Sequence, residues 1–136
     1  MENTAEKQYS KKWQTRFAFF DAFGGPSSPA YKAAFKNLTF LKRILIQGNF
    51  IAFLFGPIYF FVLGLWRKNL TLLGIVISIS FIISFIEVVV DATLPKYMDT
   101  PIGLVFSSLW SLTVNYAYYL QETRNSKSWN PFEGMR

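Results

Sequence analysis

The longest apolar run in the chain is Leu70–Val90, LTLLGIVISISFIISFIEVVV, closed by Asp91. At 1.5 Å per residue it predicts a helix about 31 Å long, close to the hydrocarbon thickness of a bilayer. Its polar residues are Thr71, Ser78, Ser80, Ser84 and Glu87. The hydroxyls among them can bond back to helical carbonyls. Arg67 and Lys68 stand just before the run. A core helix of a soluble protein would show a polar face that this run lacks.

Two more apolar segments flank it. Ile44–Trp66, ILIQGNFIAFLFGPIYFFVLGLW, is long enough to cross, but Gln47, Gly48 and Asn49 interrupt its start and Gly56-Pro57 sits in its middle. Proline removes a backbone donor and clashes with the preceding turn, so this segment is either a kinked full span or a hairpin re-entrant at Gly56-Pro57 with both ends on one side. A re-entrant turn has to be buried against protein. Pro101–Leu120 is the third segment, with Tyr116, Tyr118 and Tyr119 at its end, where an aromatic belt would sit. The loop Asp91–Thr100 joins the second and third segments, and a polar tail, residues 121–136, comes after them.

Residues 1–43 read differently. After a polar start, Met1–Ser10, a helix is expected over Tyr9–Phe23, with Tyr9, Trp13, Phe17 and Phe20 at helical spacing and Lys11, Lys12 and Arg16 off that line. Gly24 is a natural stop. Ser28 and Pro29 predict the cap and first residue of a second helix, whose face is Tyr31, Ala34, Phe35, Leu38, Leu41 and Leu45 and which is free to run into the first apolar segment. The aromatic-basic pattern of Lys11, Lys12, Trp13, Arg16, Phe17 and Phe20 suits either a helix lying among lipid headgroups or a small helix folded back on its neighbours.

Composition narrows the chemistry. The chain has 136 residues, a net charge of +6 and 19% aromatic residues. That places it as one small domain, too apolar for disorder. Eight of its fourteen Lys and Arg precede Ile44. Basic charge beside a membrane span meets anionic headgroups most simply; no nucleic-acid motif accompanies it. With no cysteine there are no disulfides or thiol nucleophiles, which fits a reducing compartment. With no histidine the commonest general base and metal ligand is missing. No cofactor loop, metal set or cleavable signal pattern is visible.

Charge counting bears on the first segment. If all three segments cross with the amino end inside, nine Lys and Arg lie inside and five outside. If the first does not cross, the split is thirteen against Lys96 alone. The positive-inside rule prefers the second split, while a 23-residue apolar run ordinarily crosses.

Ser80, Ser84, Glu87 and Asp91 share one helical face, and Ser107, Ser111 and Asn115 share another. On antiparallel neighbours these stripes are expected at similar depth. A carboxylate there either relays a proton or cation, or is held structurally near the helix end.

The run Asn49–Leu70 resembles the signature of a family of small bacterial inner-membrane proteins, the YigF-like group classed as domain of unknown function 2628. Asn49, Ala52, Phe53, Phe55, Gly56, Pro57, Tyr59, Arg67 and Lys68 fit its pattern of an Asn, an aromatic-rich Gly-Pro run and a basic pair. WQTRFAFFDAFG and WNPFEG also resemble that group. The resemblance implies a Gram-negative inner-membrane protein and treats Asn49–Lys68 as a unit; it implies no activity and no catalytic residue.

The expectation is therefore an all-α integral membrane protein, with basic amphipathic helices in residues 1–43, a membrane domain over 44–120 and a cytoplasmic amino end. The expected role is non-enzymatic, an accessory protein that binds a membrane partner, another copy of itself or anionic lipid. The alternative is a small oligomeric transporter or channel subunit using Glu87 and the Ser/Asn stripe.

Overall fold

The computed structural model describes residues 8–135, so most of the polar start lies outside the described residues. The described residues form six α-helices, one 3-10 turn and no strand: α1 Lys11–Phe23, α2 Pro29–Lys36, α3 Phe40–Gln47, α4 Phe50–Val62, α5 Trp66–Val90, the turn Lys96–Met98, and α6 Asp99–Arg124.

Local chemistry sets the short helices. The Ser10 hydroxyl caps α1 by accepting from the Trp13 amide, and Gly24 closes it at φ +81°. Ser28 accepts from the Tyr31 amide and Pro29 opens α2, as the sequence predicts. The second helix does not run on into the apolar segment. It stops at Asn37, and the Thr39 hydroxyl caps a new helix, α3, through the Lys42 amide.

The carboxyl half of α6 is the centre of the molecule. From Trp110 to Leu120 every residue except Leu112 is buried. The aromatic face of α1 lies on it, with Trp13 4.6 Å from Tyr118, Phe17 5.4 Å from Tyr119 and Phe20 5.1 Å from Tyr116. Each such ring pair contributes about 0.5–1.5 kcal/mol beyond the area it buries. The headgroup-layer expectation for Trp13, Arg16, Phe17 and Phe20 is thereby corrected: all four are buried in the protein, and only Lys11 and Lys12 of that set stay exposed. Rings already packed on Tyr116, Tyr118 and Tyr119 have no apolar area left to offer lipid.

The first apolar segment is not one straight rod. It breaks at Gly48-Asn49 and kinks at Phe55, where φ/ψ is −125°/24°, two residues before the proline. Asn49 meets Ser111 of α6, Gly56 lies against Trp110, and the Leu63 carbonyl accepts from Gln121. The first half thus crosses α6 with little advance, and the second runs toward the carboxyl end of α6. Gly64, at φ +79°, then reverses the chain into α5. Both flanks of the segment are tied to one end of the fold. Arg16 of α1 donates to the Leu45 carbonyl, while Arg67 and Lys68 bond to the tail at Lys127 and Glu133. The Ser27 amide, in the α1–α2 loop, donates to Gly134 of the same tail.

Beyond Leu72, α5 has no buried residue, and the first half of α6 has none before Trp110. The outer half of the α5–α6 hairpin therefore projects from the packed end with its apolar side chains outward. Two stretches are long and apolar enough to cross a membrane by length and composition, Phe40–Val62 and Trp66–Val90. The expected third, 101–120, does not reach that measure. It is helical, but Ser111, Thr113, Asn115 and the tyrosines that lower its hydropathy are spent on interior packing.

A Cβ on Gly56 would stand 2.6 Å from Cγ of Trp110, inside van der Waals contact with a buried ring. Gly56→Ala is expected to destabilise the fold by about 1–3 kcal/mol; an unchanged unfolding midpoint in detergent would show that α4 does not seat on Trp110. Burial pushes the Tyr31 phenol up to about 12. The fold favours its neutral form, so this stabilisation is complete below the unfolded value of about 10 and disappears as pH rises through about 12. Tyr31→Phe should flatten the alkaline decline of the melting temperature measured by circular dichroism.

Candidate functional site

Two polar clusters are built into the apolar framework. The deeper one holds the broken backbone between α3 and α4. The Ser111 hydroxyl donates to the Asn49 carbonyl and accepts from the Asn49 amide, both at 3.0 Å. Asn49 Nδ2 donates to Asn115 Oδ1 at 3.1 Å, and Asn49 Oδ1 caps α4 through the Ala52 amide. Asn115 Nδ2 faces the carbonyls of Ile46, 2.9 Å, and Gly48, 2.8 Å. A second bridge lies beside it. Trp110 Nε1 donates to Asn69 Oδ1, and Asn69 Nδ2 donates to the Pro57 carbonyl, each at 2.8 Å. Among the described residues no buried side-chain nitrogen or oxygen lacks a partner. These groups are spent on holding backbone, which is what a buried polar network must do to avoid a desolvation cost.

The shallower cluster surrounds the amino end of α5. Lys68 is only 2% exposed, and its ammonium pairs with Glu133 Oε2 at 3.3 Å. The Ser126 hydroxyl donates to the same carboxylate oxygen at 2.7 Å. Arg67 donates through Nη1 to the Lys127 carbonyl at 2.8 Å and lies over the rings of Trp66 and Trp129, 5.2 and 5.9 Å from their centroids. A cleft of about 340 Å³ opens between Gly64–Lys68 and the tail residues Asn125–Ser128, with Gln121 behind them. In α1, Arg16 is buried over Trp13 with Nε on the Leu45 carbonyl, and burial pulls its guanidinium below its usual range.

The structure separates the two polar stripes that the sequence places at similar depth. Ser111 and Asn115 turn to Asn49. Glu87 turns to its own helix end, where Oε1 accepts the Leu94 amide at 2.6 Å, and Asp91 terminates α5 in the left-handed conformation at φ 52°. Ser80 and Ser84 are exposed, and Ser107 is half-buried. Glu87 thus closes the loop after α5. No group of three Asp or Glu residues that would hold a metal is present among the described residues.

The residues of the Asn49–Lys68 run divide between the two clusters, Asn49 on α6 and Arg67 and Lys68 on the tail. Asn49, Gly56, Pro57, Arg67 and Lys68 each make one of the contacts above, and Phe53 and Tyr59 are half-buried beside them. Sequence reasoning missed Asn69, fully buried, and Arg16 as an interior cation. Asn69 carried one signal: it is polar, directly follows the basic pair and opens the longest apolar run.

A family model described as "Protein of unknown function (DUF2628)" matches residues 4–124. Three curated relatives are each described as "Uncharacterized protein YigF". Those of Salmonella typhimurium and Salmonella typhi are 38% identical over 125 residues, and that of Escherichia coli K12 is 34% identical. Each alignment covers 89% of this chain and 90% of the relative. No solved structure matches the chain.

Asn115→Ala strips the Ile46 and Gly48 carbonyls and the Asn49 side-chain amide of their shared partner. The expected loss is about 1–3 kcal/mol of stability, since the backbone groups stay buried. Asn115→Asp keeps an acceptor for Asn49 but sets a carboxylate against two carbonyls and should cost at least as much. A chemical-denaturation series in detergent reads both. Equal stability of all three proteins would remove the network from its structural role.

Proposed function

The chain belongs to the family described as Protein of unknown function (DUF2628), and from that premise we propose that it is a non-enzymatic accessory protein of the bacterial inner membrane. In this reading α5 and α6 span the bilayer, α3 and α4 form a re-entrant pair, and α1, α2 and the tail make a folded basic cap on the cytoplasmic surface. The observation that carries the reading is the projecting hairpin. Phe81, Ile82, Phe85, Ile86, Val88 and Val90 on α5 are 53–79% exposed, and at helical spacing they cover about half of the circumference. In water such a surface would be a severe liability; in lipid it has no cost.

Two further features support it. The flanks of Ile44–Trp66 are tied to the same end of the fold, so Arg67, Lys68 and the tail cations join the amino-terminal ones, leaving Lys96 at the far loop. That is the arrangement the positive-inside rule favours. In this reading the re-entrant turn lies at Gly48-Asn49 instead of the expected Gly56-Pro57, and Ser111 and Asn115 satisfy its backbone, as a turn at membrane depth requires. Lys11, Lys12, Lys32 and Lys36 are exposed on the cap and would meet anionic headgroups or an acidic partner. The accessory reading is preferred to a transporter because Glu87 accepts the Leu94 amide and Ser111 and Asn115 bond Asn49.

The native chain has no cysteine, so single cysteines report cleanly. In spheroplasts, Lys96→Cys should react with an impermeant maleimide, and Lys36→Cys should react only after lysis. Labelling at 36 in intact spheroplasts, or none at 96, overturns the proposed topology.

A further inference from the structure

We infer that the cleft between Gly64–Lys68 and Asn125–Ser128 is a binding site for a phosphate-bearing anion, with Arg67 and Lys127 as its charged walls. It has about 340 Å³ of space, within the usual range of small-molecule sites. Its lining contains three cations, Arg67, Lys68 and Lys127, and no carboxylate. Glu133 stands behind the lining and compensates Lys68 alone. The charges of Arg67 and Lys127 therefore face the cleft region without an acidic neighbour in the lining.

Arg67 has a structural task, since it ties α5 to the tail through the Lys127 carbonyl. That bond occupies one of the five donors of a guanidinium, and among the described residues it is the only hydrogen bond the Arg67 side chain makes. A carbonyl tie needs no cation, whereas a planar fork held against two indole rings is the geometry that grips an oxyanion with two donors at once. Gln121, Ser126 and Ser128 line the same space with polar side chains. The first turn of α5 lacks a side-chain cap, so its amide end adds to the positive field of the cleft. Donors arriving from both walls suit a tetrahedral phosphate better than a flat carboxylate.

Two sources share this chemistry, a phospholipid headgroup and a soluble phosphate ester or ion. Trp66, which lines the cleft, and Trp129, whose ring lies 5.3 Å from it, are 45% and 50% exposed, as indoles at headgroup level are. The inference rests on the membrane reading only for the headgroup source; cysteine accessibility tests that reading independently.

The test uses the full chain in phosphatidylcholine nanodiscs, with tryptophan emission as the readout. The probes are short-chain phosphatidylglycerol and inorganic phosphate. A saturable change is expected with one or both, and Arg67→Gln with Lys127→Gln should weaken it more than about tenfold. Lys42→Gln with Lys96→Gln, which removes the same charge away from the cleft, should leave it within about twofold. Saturation by both probes assigns a soluble anion; saturation by the lipid alone assigns a headgroup. If removing Arg67 prevents folding, Lys127→Gln alone carries the comparison, because its side chain is exposed. No saturable change with either probe, or equal effects of the two paired variants, overturns the inference.

Discussion

The fold depends on satisfying a backbone break inside an apolar environment. Gly48 and Asn49 leave helical geometry in the middle of an apolar stretch, and freed amides and carbonyls there would each cost more than a surface turn does. Asn49, Ser111 and Asn115 remove that cost by bonding one another and the loose carbonyls at the end of α3. Once they do so, α3 and α4 are fixed against the middle of α6. The kink at Phe55 and the close seat of Gly56 on Trp110 then direct the second half of α4 back along α6.

That one constraint positions elements far from the break. Because α4 returns to the end of the fold it left, Gly64 can start α5 beside the carboxyl-terminal tail. Arg67 and Lys68 therefore meet Lys127, Ser126 and Glu133 instead of lying at the opposite end of the molecule. The basic pair, Trp66 and the tail make a charged cleft from separate parts of the sequence, with Trp129 packed on Trp66. The same end carries the aromatic cap of α1 and α2, so the molecule has a packed, basic end and a projecting apolar one.

Much of the architecture was legible in the chain. The caps at Ser28 and Gly24, the hinge at Gly56-Pro57 and the long apolar helix over 70–90 follow from local rules, because each rests on contacts within a few residues. The kinked and re-entrant forms of Ile44–Trp66 were both open, since proline predicts a bend but not its direction. The direction is set by Asn115 and Gln121, more than fifty residues away. The aromatic face of α1 was visible as a stripe, but a stripe does not say whether lipid or tyrosine covers it. The pairing of Glu87 with the Ser/Asn stripe failed for the same reason. Equal depth along two helices is a one-dimensional argument, and facing is a rotational one.

The sequence by itself determined an all-helical chain with a bilayer-length apolar run, a basic amino-terminal third and a breakpoint at Gly56-Pro57, since periodicity, length and backbone chemistry are local quantities. The tertiary structure alone decided which polar residues became buried ties and which stayed free. Asn49, Asn69, Arg16 and Lys68 are buried because distant carbonyls and carboxylates were brought to them. Whether a polar side chain inside an apolar run is a functional group or a structural bond depends on its partner, and the partner is a property of the fold.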